Sequence, residues 1–473
     1  MYRRVLLMNP PSELYRRDDR CQSKVEDQTV RVIFPPIELG MLAAIARECG
    51  AEVALKDYPT VGATAQQYID DLNAFKPDLV LLNTTAHTIR EDLAAFSIAR
   101  EFFPGVRTIV KGEAVAVRAE EILKTHGELD IVLDGEPEIA FRDIVTGKPL
   151  SEVGNISWRD EDKTIRRGPQ LPLIPSLDDL PFPARDLFDN SLYRSPENGR
   201  MITAVYAQRG CPAKCIYCPA GSMYDYKVRE RSIESVIAEI EDCVKNYGIR
   251  DFLFHGDTFT LHKKWLIQLC QAIVERGLEV HWGCNSRVDT IDDERAEWMR
   301  KAGCWVVAFG FEHGDQEILD KMKKGARVEK AYEAVRVCRR HALQVHGFFV
   351  IGTPWETEHT LEKAFEFAKT LDTDYFDFNI AYPLPGTELH DIVVRDGLFE
   401  TSEESTKVGY AQAAVRTYEL SSAALTDWRK KALFRLYRRP SWIFRTVRNA
   451  AANGTTMYYA KEAWFRLNRL LRN

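Results

Sequence analysis

Two long series of short apolar runs, each run separated from the next by a stretch with helical spacing, restrict this chain's fold more than any other feature. In the first series Val5–Met8, Glu52–Leu55, Leu79–Leu82, Thr108–Val110 and Asp130–Leu133 read as strands, with helical stretches at Ile37–Cys49, Ala65–Phe75 and Arg90–Phe102. Such alternation implies a parallel sheet with helices on both faces. Ligands of these sheets sit beyond the carboxyl ends of the strands. Those ends carry Asn9-Pro10-Pro11, Asp57, Asn83-Thr84-Thr85, Gly112-Glu113 and Gly135-Glu136.

The second series begins near Ile202. It predicts strands at Ile202–Tyr206, Asp251–Phe254, Glu279–Trp282, Trp305–Phe309, Gln344–Ile351 and Phe376–Ala381, with helical stretches between them. Six βα repeats imply an open, partial barrel whose chemistry lies at the carboxyl ends of its strands. A connector with six prolines from Pro149 to Pro183 and little periodicity separates the two series. The expected fold class is α/β: a doubly wound domain over 1–147, a linker over 148–197, a partial (β/α)6 barrel over 198–395 and a helical, basic region over 396–473.

Hydrophobic residues make up 45% of the 473 residues and charged residues 28%. This balance fits a soluble globular protein and excludes a disordered or collagen-like chain. No run approaches the ~18 apolar residues of a membrane span, and the apolar run at Val5–Met8 is too short for a secretory signal. The expected location is the cytoplasm, with the inner face of the membrane as a further station for the tail. Net charge is −6, yet Arg429–Asn473 holds 12 Lys/Arg against the single acid Glu462, a net +11 that leaves −17 on residues 1–428. Arg429–Pro440 and Tyr458–Arg472 combine these charges with Trp, Phe, Tyr and Leu, among them Trp442, Trp464 and Phe465. Two roles compete for this tail: peripheral contact with an anionic membrane and a helical cap on the acidic barrel. Nucleic acid is not an expected partner.

Seven of the ten cysteines are scattered, and most of these read as small buried residues. Cys211, Cys215 and Cys218 cluster, with C-x3-C-x2-C spacing, in the loop after the first barrel strand. A [4Fe–4S] cluster takes four ligands, so three thiolates would leave one iron open to a small-molecule chelator. The competing readings are a zinc site and three core cysteines. Zinc favours a fourth Cys or His nearby, and no His lies between Ile202 and Phe254.

This loop, with Tyr217 before the last cysteine, resembles the signature of the radical S-adenosylmethionine (SAM) superfamily. The supporting motifs fall after successive strands: His255-Gly-Asp257-Thr258, Asn285-Ser-Arg287, Gly310-Phe-Glu312-His-Gly314 and Gly347-Phe-Phe-Val-Ile-Gly352-Thr-Pro354-Trp-Glu356. The resemblance implies that Cys211, Cys215 and Cys218 bind the cluster. It further implies that Tyr217, Asp257, Asn285, Arg287, Gly310, Glu312 and Gly352 contact the cluster or SAM. The expected chemistry is reductive cleavage of SAM to an adenosyl radical that takes hydrogen from an unactivated carbon. An external flavodoxin- or ferredoxin-type donor would supply the electron.

The preceding domain resembles the cobalamin-binding class of that superfamily, through Asn9-Pro10-Pro11, Pro35-Pro36-Ile37-Glu38, Asp134-Gly-Glu136-Pro-Glu138 and Leu177–Pro183. The resemblance places cobalamin against Asn9, Pro10, Asp57, Thr84, Gly112, Glu113, Gly135 and Glu136. One departure stands out. The cobalamin motif D-x-H-x-x-G has its nearest match at Asp57-Tyr-Pro59-Thr-Val-Gly62, where Pro59 cannot ligate cobalt. Cobalamin-dependent C-methylation of a small-molecule or lipid-like substrate is the leading expectation. Radical cyclisation, oxidation or rearrangement without methyl transfer remains open beside it, as does an iron–sulfur binding or sensor module. The sequence singles out no catalytic residue beyond the cofactor ligands.

Overall fold

In a computed structural model, described for residues 1–17, 22–28, 32–195, 198–400, 409–452 and 456, the first series of apolar runs forms strands β1 (Arg4–Asn9), β2 (Glu52–Asp57), β3 (Leu79–Asn83), β4 (Arg107–Lys111) and β5 (Ile131–Leu133). They pair in parallel in the order β2-β1-β3-β4-β5. Between and after them lie α1 (Ile37–Glu48), α2 (Tyr58–Val61), α3 (Ala65–Phe75), α4 (Ile89–Phe102), α5 (Glu113–Val117), α6 (Ala119–Thr125) and α7 (Pro137–Thr146). The β3 run Leu79-Val-Leu-Leu82 is buried throughout because it serves two cores. Leu79 and Leu81 pack with α1 and α7, whereas Val80 and Leu82 pack with α3, α4 and α6. A strand covered on both faces needs an unbroken apolar run rather than alternation. The strand order reverses direction between β1 and β3, which opens a crevice beyond their carboxyl ends.

The proline-rich stretch does more than connect. Its residues form β6 (Ile156–Arg159) and β7 (Ile165–Arg167), which extend the same sheet antiparallel beyond β5. The compact unit holding this sheet runs on to Leu192. Two strands of three and four residues, one of them with exposed Arg166 and Arg167, carry too little periodicity to be read from sequence.

The second compact unit contains Tyr193–Pro383 and the residues from Thr387 onward. Its sheet consists of β8 (Ile202–Tyr206), β11 (Asp251–His255), β12 (His281–Ser286), β13 (Cys304–Glu312), β14 (Gln344–Ile351) and β15 (Tyr375–Ile380), all parallel and in sequence order. A two-residue ribbon, β9 (Gln208–Arg209) with β10 (Arg229–Glu230), brackets the cysteine loop and the short α8 (Ala220–Met223). Helices α9 (Ile233–Tyr247), α10 (Lys263–Glu275), α11 (Asp293–Lys301), α12 (Gln316–Lys321), α13 (Val328–Arg340) and α14 (Glu358–Leu371) follow successive strands. Ser232, Asp292, Asp315 and Thr357 cap four of them by accepting a backbone N–H in the first turn.

Strand alternation divides the sheet residues. Phe252, Phe254, Trp282, Phe309, Phe349, Phe376 and Phe378 pack into one core with the helices. Leu253, His255, Ala308, Gly310, His346 and Phe348 alternate with them on the inner face and are only half-buried. Six strands do not close a barrel, and among the described residues these inner-face side chains are left only half-buried.

After α15 (Glu388–Arg395) come α16 (Ser422–Tyr437) and α17 (Pro440–Ala452). Leu425, Ala432, Leu433 and Leu436 of α16 join the barrel core. Arg429 donates to the Phe378 carbonyl. The Tyr437 hydroxyl accepts from Phe376 N at 3.1 Å and donates to Phe376 O at 2.8 Å. Trp442 Nε1 donates to Asp374 O at 2.8 Å, and Arg445 pairs with Asp372 at 2.5 Å. The part of the tail from Arg429 to Arg445 is therefore a cap on the barrel. Tyr458–Arg472, with Trp464 and Phe465, lies outside the described residues. No helix among the described residues is long and apolar enough to cross a membrane.

Candidate active site

The cysteine loop leaves the sheet just after β8, and its shape depends on glycine. Gly210 has φ +96, and a Cβ there would overlap the Lys227 carbonyl oxygen. Its N–H donates to Asp257 Oδ2 at 2.8 Å, which ties the loop to the end of β11. Cys211 Sγ lies 3.7 Å from Thr258 Oγ1. Ile216 is held from both sides: its N–H donates to Met322 O at 3.1 Å and its carbonyl accepts from Leu389 N at 2.9 Å. Cys215 and Tyr217 flank that fixed residue. Cys211, Cys215 and Cys218 are partly exposed, whereas Cys243, Cys270, Cys284, Cys304 and Cys338 are buried as the sequence predicts. Among the described residues, no three His, Cys, Asp or Glu side chains gather closely enough to hold one metal ion. Iron–sulfur clusters make a different demand, because each thiolate binds its own iron.

A buried charged constellation stands beside this loop. A bulge in β13 between Gly310 and Glu312 puts Glu312 in the left-handed region at φ +61. Its Oε1 lies 2.6 Å from Lys324 Nζ, in the loop that follows α12. Arg287 donates to the Lys324 carbonyl at 3.1 Å and grips Asp289 through a two-bond fork of 3.0 and 2.8 Å. A side chain at Gly310 would press on the Glu312 carboxylate and the Lys324 ammonium, so one of these two side-chain ends would have to move aside. Burial pushes the Cys215 thiol up while Lys324 beside it pulls the other way. Burial and Glu312 hold the Tyr217 phenol well above its ordinary value, so it is a neutral donor to Cys215. Desolvation pulls the Lys324 ammonium down, but Glu312 and Cys215 more than offset it and keep it charged.

The turn after β14 is also built around buried titratable groups. Gly352, at φ +84, donates its N–H to Glu356 Oε2 at 2.7 Å. Burial raises the Glu356 carboxyl to about 8. His313 Nε2 lies 3.7 Å from Glu356 Oε1, and burial lowers this imidazole to about 4.

Within the second unit the structure thus brings Cys211, Cys215, Tyr217, Asp257, Arg287, Gly310 and Glu312 to neighbouring strand ends. Asn285 sits half-buried at the end of β12, and its carbonyl accepts from Phe259 N at 3.1 Å. Lys324 is the charged residue of this constellation that the sequence did not single out. The available signal was the requirement that a buried Glu312 have a cation, but Lys321, Lys323 and Lys324 all compete for that role.

In the first unit the candidate residues occupy the strand ends but form separate groups. Asn9, the last residue of β1 before Pro10, donates from Nδ2 to Asp57 Oδ1 at 2.9 Å. Thr84 Oγ1 donates to Asp92 Oδ2 at 2.7 Å, and Asp92 is ion-paired to Arg17 at 2.6 Å. Gly112 packs on Thr84, where a Cβ would come within 2.7 Å of the Thr84 carbonyl oxygen. Glu113 opens α5, and Gly135 takes φ +55. Buried Glu136 accepts from Ile174 N at 2.7 Å. Pro59 lies in the first turn of α2. His87 is buried and stacked on Tyr15 with ring centroids 5.9 Å apart. Burial lowers it to about 4 and keeps it neutral.

Comparisons with known proteins bear on the barrel and on the fold. The model of the radical SAM superfamily matches residues 205–368. An uncharacterised methyltransferase of Pyrococcus horikoshii is 29% identical over 94% of this chain and 94% of its own. The cytidylyl-2-hydroxyethylphosphonate methyltransferase of Streptomyces wedmorensis is 26% identical over 88% of this chain and 86% of its own. Among solved structures, the cobalamin-dependent S-adenosylmethionine radical enzyme OxsB, with aqua-cobalamin and S-adenosylmethionine bound, shares the fold. Its TM-score is 0.70 at 16% identity, over 99% of this chain and 71% of its own. The cysteine loop at the first barrel strand and the charged constellation beside it thus lie within or directly beside a radical SAM domain, which this chain carries over residues 205–368.

Proposed function

We propose that the chain is a radical SAM C-methyltransferase using a [4Fe–4S] cluster, SAM and cobalamin. The observation that carries this reading is the loop of three thiols beside the buried Glu312–Lys324 pair. When bound, the cluster and SAM supply an adenosyl radical, and cobalamin supplies a methyl group.

Cys211, Cys215 and Cys218 would hold three irons and leave the fourth for the amino-acid end of SAM. That end carries one ammonium and one carboxylate. Glu312 is the acceptor suited to the first; Arg287 and Lys324 are donors suited to the second. Tyr217 keeps its proton and hydrogen-bonds Cys215. Asp257 holds the Gly210 amide and so fixes where the cysteine loop begins. Asn285 and Gly352 complete the SAM contacts, with Glu356 holding the Gly352 turn from behind.

Cobalamin would lie at the strand ends of a Rossmann-like first unit, against Asn9, Pro10, Asp57, Thr84, Gly112, Glu113, Gly135 and Glu136. The reversal of strand order at β1 and the fold shared with a cobalamin-dependent enzyme support this. Because Pro59 stands where the motif has histidine, cobalt would carry no histidine ligand from that position. The substrate is a small molecule, and a flavodoxin- or ferredoxin-type protein delivers the electron. Ile443, Phe444 and Val447 are exposed on α17 and offer a peripheral membrane contact.

The test is anaerobic reconstitution with iron, sulfide and SAM, with and without cobalamin. Reduction is expected to release 5′-deoxyadenosine and to yield a product heavier by one CH2. Alanine at any of the three cysteines should abolish both. A product of unchanged mass, with no cobalt signal in protein made with ample cobalamin, would point instead to cyclisation or rearrangement.

A further inference from the structure

On β14, Gln344, His346, Phe348 and Val350 alternate with residues buried under the helices; on β15, Tyr375, Asp377 and Asn379 do the same. Val345, Phe349, Phe376 and Phe378 belong to the outer core, so alternation places the first set on the inner face. Ring contacts agree, with His346 4.4 Å from Phe348 and 5.7 Å from Tyr375 between centroids. His346 Nε2 lies 2.8 Å from Asp377 Oδ2, on the neighbouring strand. The facing positions of β13 are Ala308, opposite His346, and Gly310, opposite Phe348. Both are too small to cover the imidazole. His346 keeps 17% of its side chain exposed, and its Nδ1 has no hydrogen-bond partner among the described residues.

We propose that His346 Nδ1 is the hydrogen-bond acceptor for an O–H or N–H group of the substrate. A carboxylate can only accept from a neutral imidazole, so Asp377 places the ring proton on Nε2 and leaves the lone pair on Nδ1. In the neutral ring Nδ1 is thus an acceptor by construction. Its surroundings strengthen it, since a hydrogen bond beside Phe348 and Tyr375 is less screened than one in water. Aromatic pairs recur on the same face, Tyr206 with His255 at 4.2 Å and His281 with Trp305 at 5.3 Å. The face therefore suits a flat or apolar skeleton carrying one polar hydrogen-bond donor. It does not suit a purely hydrocarbon substrate, which would leave Nδ1 without a partner. The inference rests on the radical SAM reading only in taking the open inner face as the place where substrate lies.

The test uses the full chain, reconstituted anaerobically and labelled with 15N at histidine. The probes are phenol, which donates one hydrogen bond, and anisole, its methyl ether, which donates none. His346 is expected to show the Nε2–H tautomer. Phenol should shift the Nδ1 resonance and bind about tenfold more tightly than anisole, the value of one partly buried hydrogen bond. His346→Phe should remove that preference, and Asp377→Leu should weaken it by releasing the tautomer. An Nδ1–H tautomer, or equal binding of the two probes to the unaltered protein, overturns the proposal even where a variant fails to fold. Release of 5′-deoxyadenosine by the same preparation tests the radical SAM reading separately. Its absence alongside an intact preference for phenol would sink that reading and leave the acceptor site standing.

Discussion

Glu312 Oε1 sits 2.6 Å from Lys324 Nζ, and neither side chain is more than a tenth exposed. Breaking a buried pair of this kind leaves one charge uncompensated, at a cost of ~3–5 kcal/mol. Lys324→Met is expected to destabilise the chain by that amount and to abolish SAM binding. Lys324→Met with Glu312→Leu should recover most of the stability and none of the binding. Anaerobic urea unfolding and equilibrium SAM binding separate the two effects. A single Lys324→Met variant that unfolds at the wild-type midpoint would refute the account.

Glu356 and His313 give stability an unusual pH dependence. Burial raises the Glu356 carboxyl from 4.5 to about 8 and lowers the His313 imidazole from 6.5 to about 4. Between about 4.5 and 6.5, folded Glu356 keeps a proton that the unfolded chain has lost, so its contribution falls as pH rises. Over the same window unfolded His313 holds a proton that the folded ring lacks, so its contribution rises. The two slopes oppose each other. Above 6.5 only Glu356 acts, and stability should fall by ~2 kcal/mol as pH approaches 8. Glu356→Gln should remove that fall. Unfolding free energies of both proteins at pH 6.5 and 8 decide the matter; identical differences would refute it.

Gly210 lets the cysteine loop pass under the Lys227 carbonyl at a positive φ. Gly210→Ala is expected to cost ~1–3 kcal/mol from backbone conformation alone, with the overlap adding more. Iron retained per chain after reconstitution should drop sharply. A variant that binds iron as fully as the wild type would show that the loop has room to move.

Leu436 lies fully buried in the core shared by α16 and the sheet. Leu436→Ala should cost ~2–5 kcal/mol, whereas serine at exposed Phe444 should be nearly neutral. If both were neutral by thermal unfolding, α16 would not be part of the folded barrel.

Much of this arrangement was legible in the sequence because its signals are local. The run Leu79–Leu82 announces a strand buried on both faces, and the spacing of Cys211, Cys215 and Cys218 announces a ligand loop. Lys324 was not legible, because its partner Glu312 is twelve residues away and the pairing depends on a bulge in β13. His346 was hidden for a similar reason. Only the register of β14 against β15 puts Asp377 within reach of its ring. The basic face of Arg429–Tyr437 gave no sign of its target, since a cap and a membrane surface ask for the same pattern of charge and apolar residues.

Among the described residues, the last strand of the half-barrel, β15, has no neighbouring strand on its outer side. Four of its outward backbone groups are nevertheless occupied: Phe376 N and O by Tyr437, Phe378 O by Arg429 and Ile380 N by the carbonyl of Tyr410. Bare rows of such groups invite another chain to add on and start aggregation. The helix that follows therefore works as a doorstop against self-association, and a shortened chain ending before Ser421 should precipitate even with every cofactor-binding residue intact.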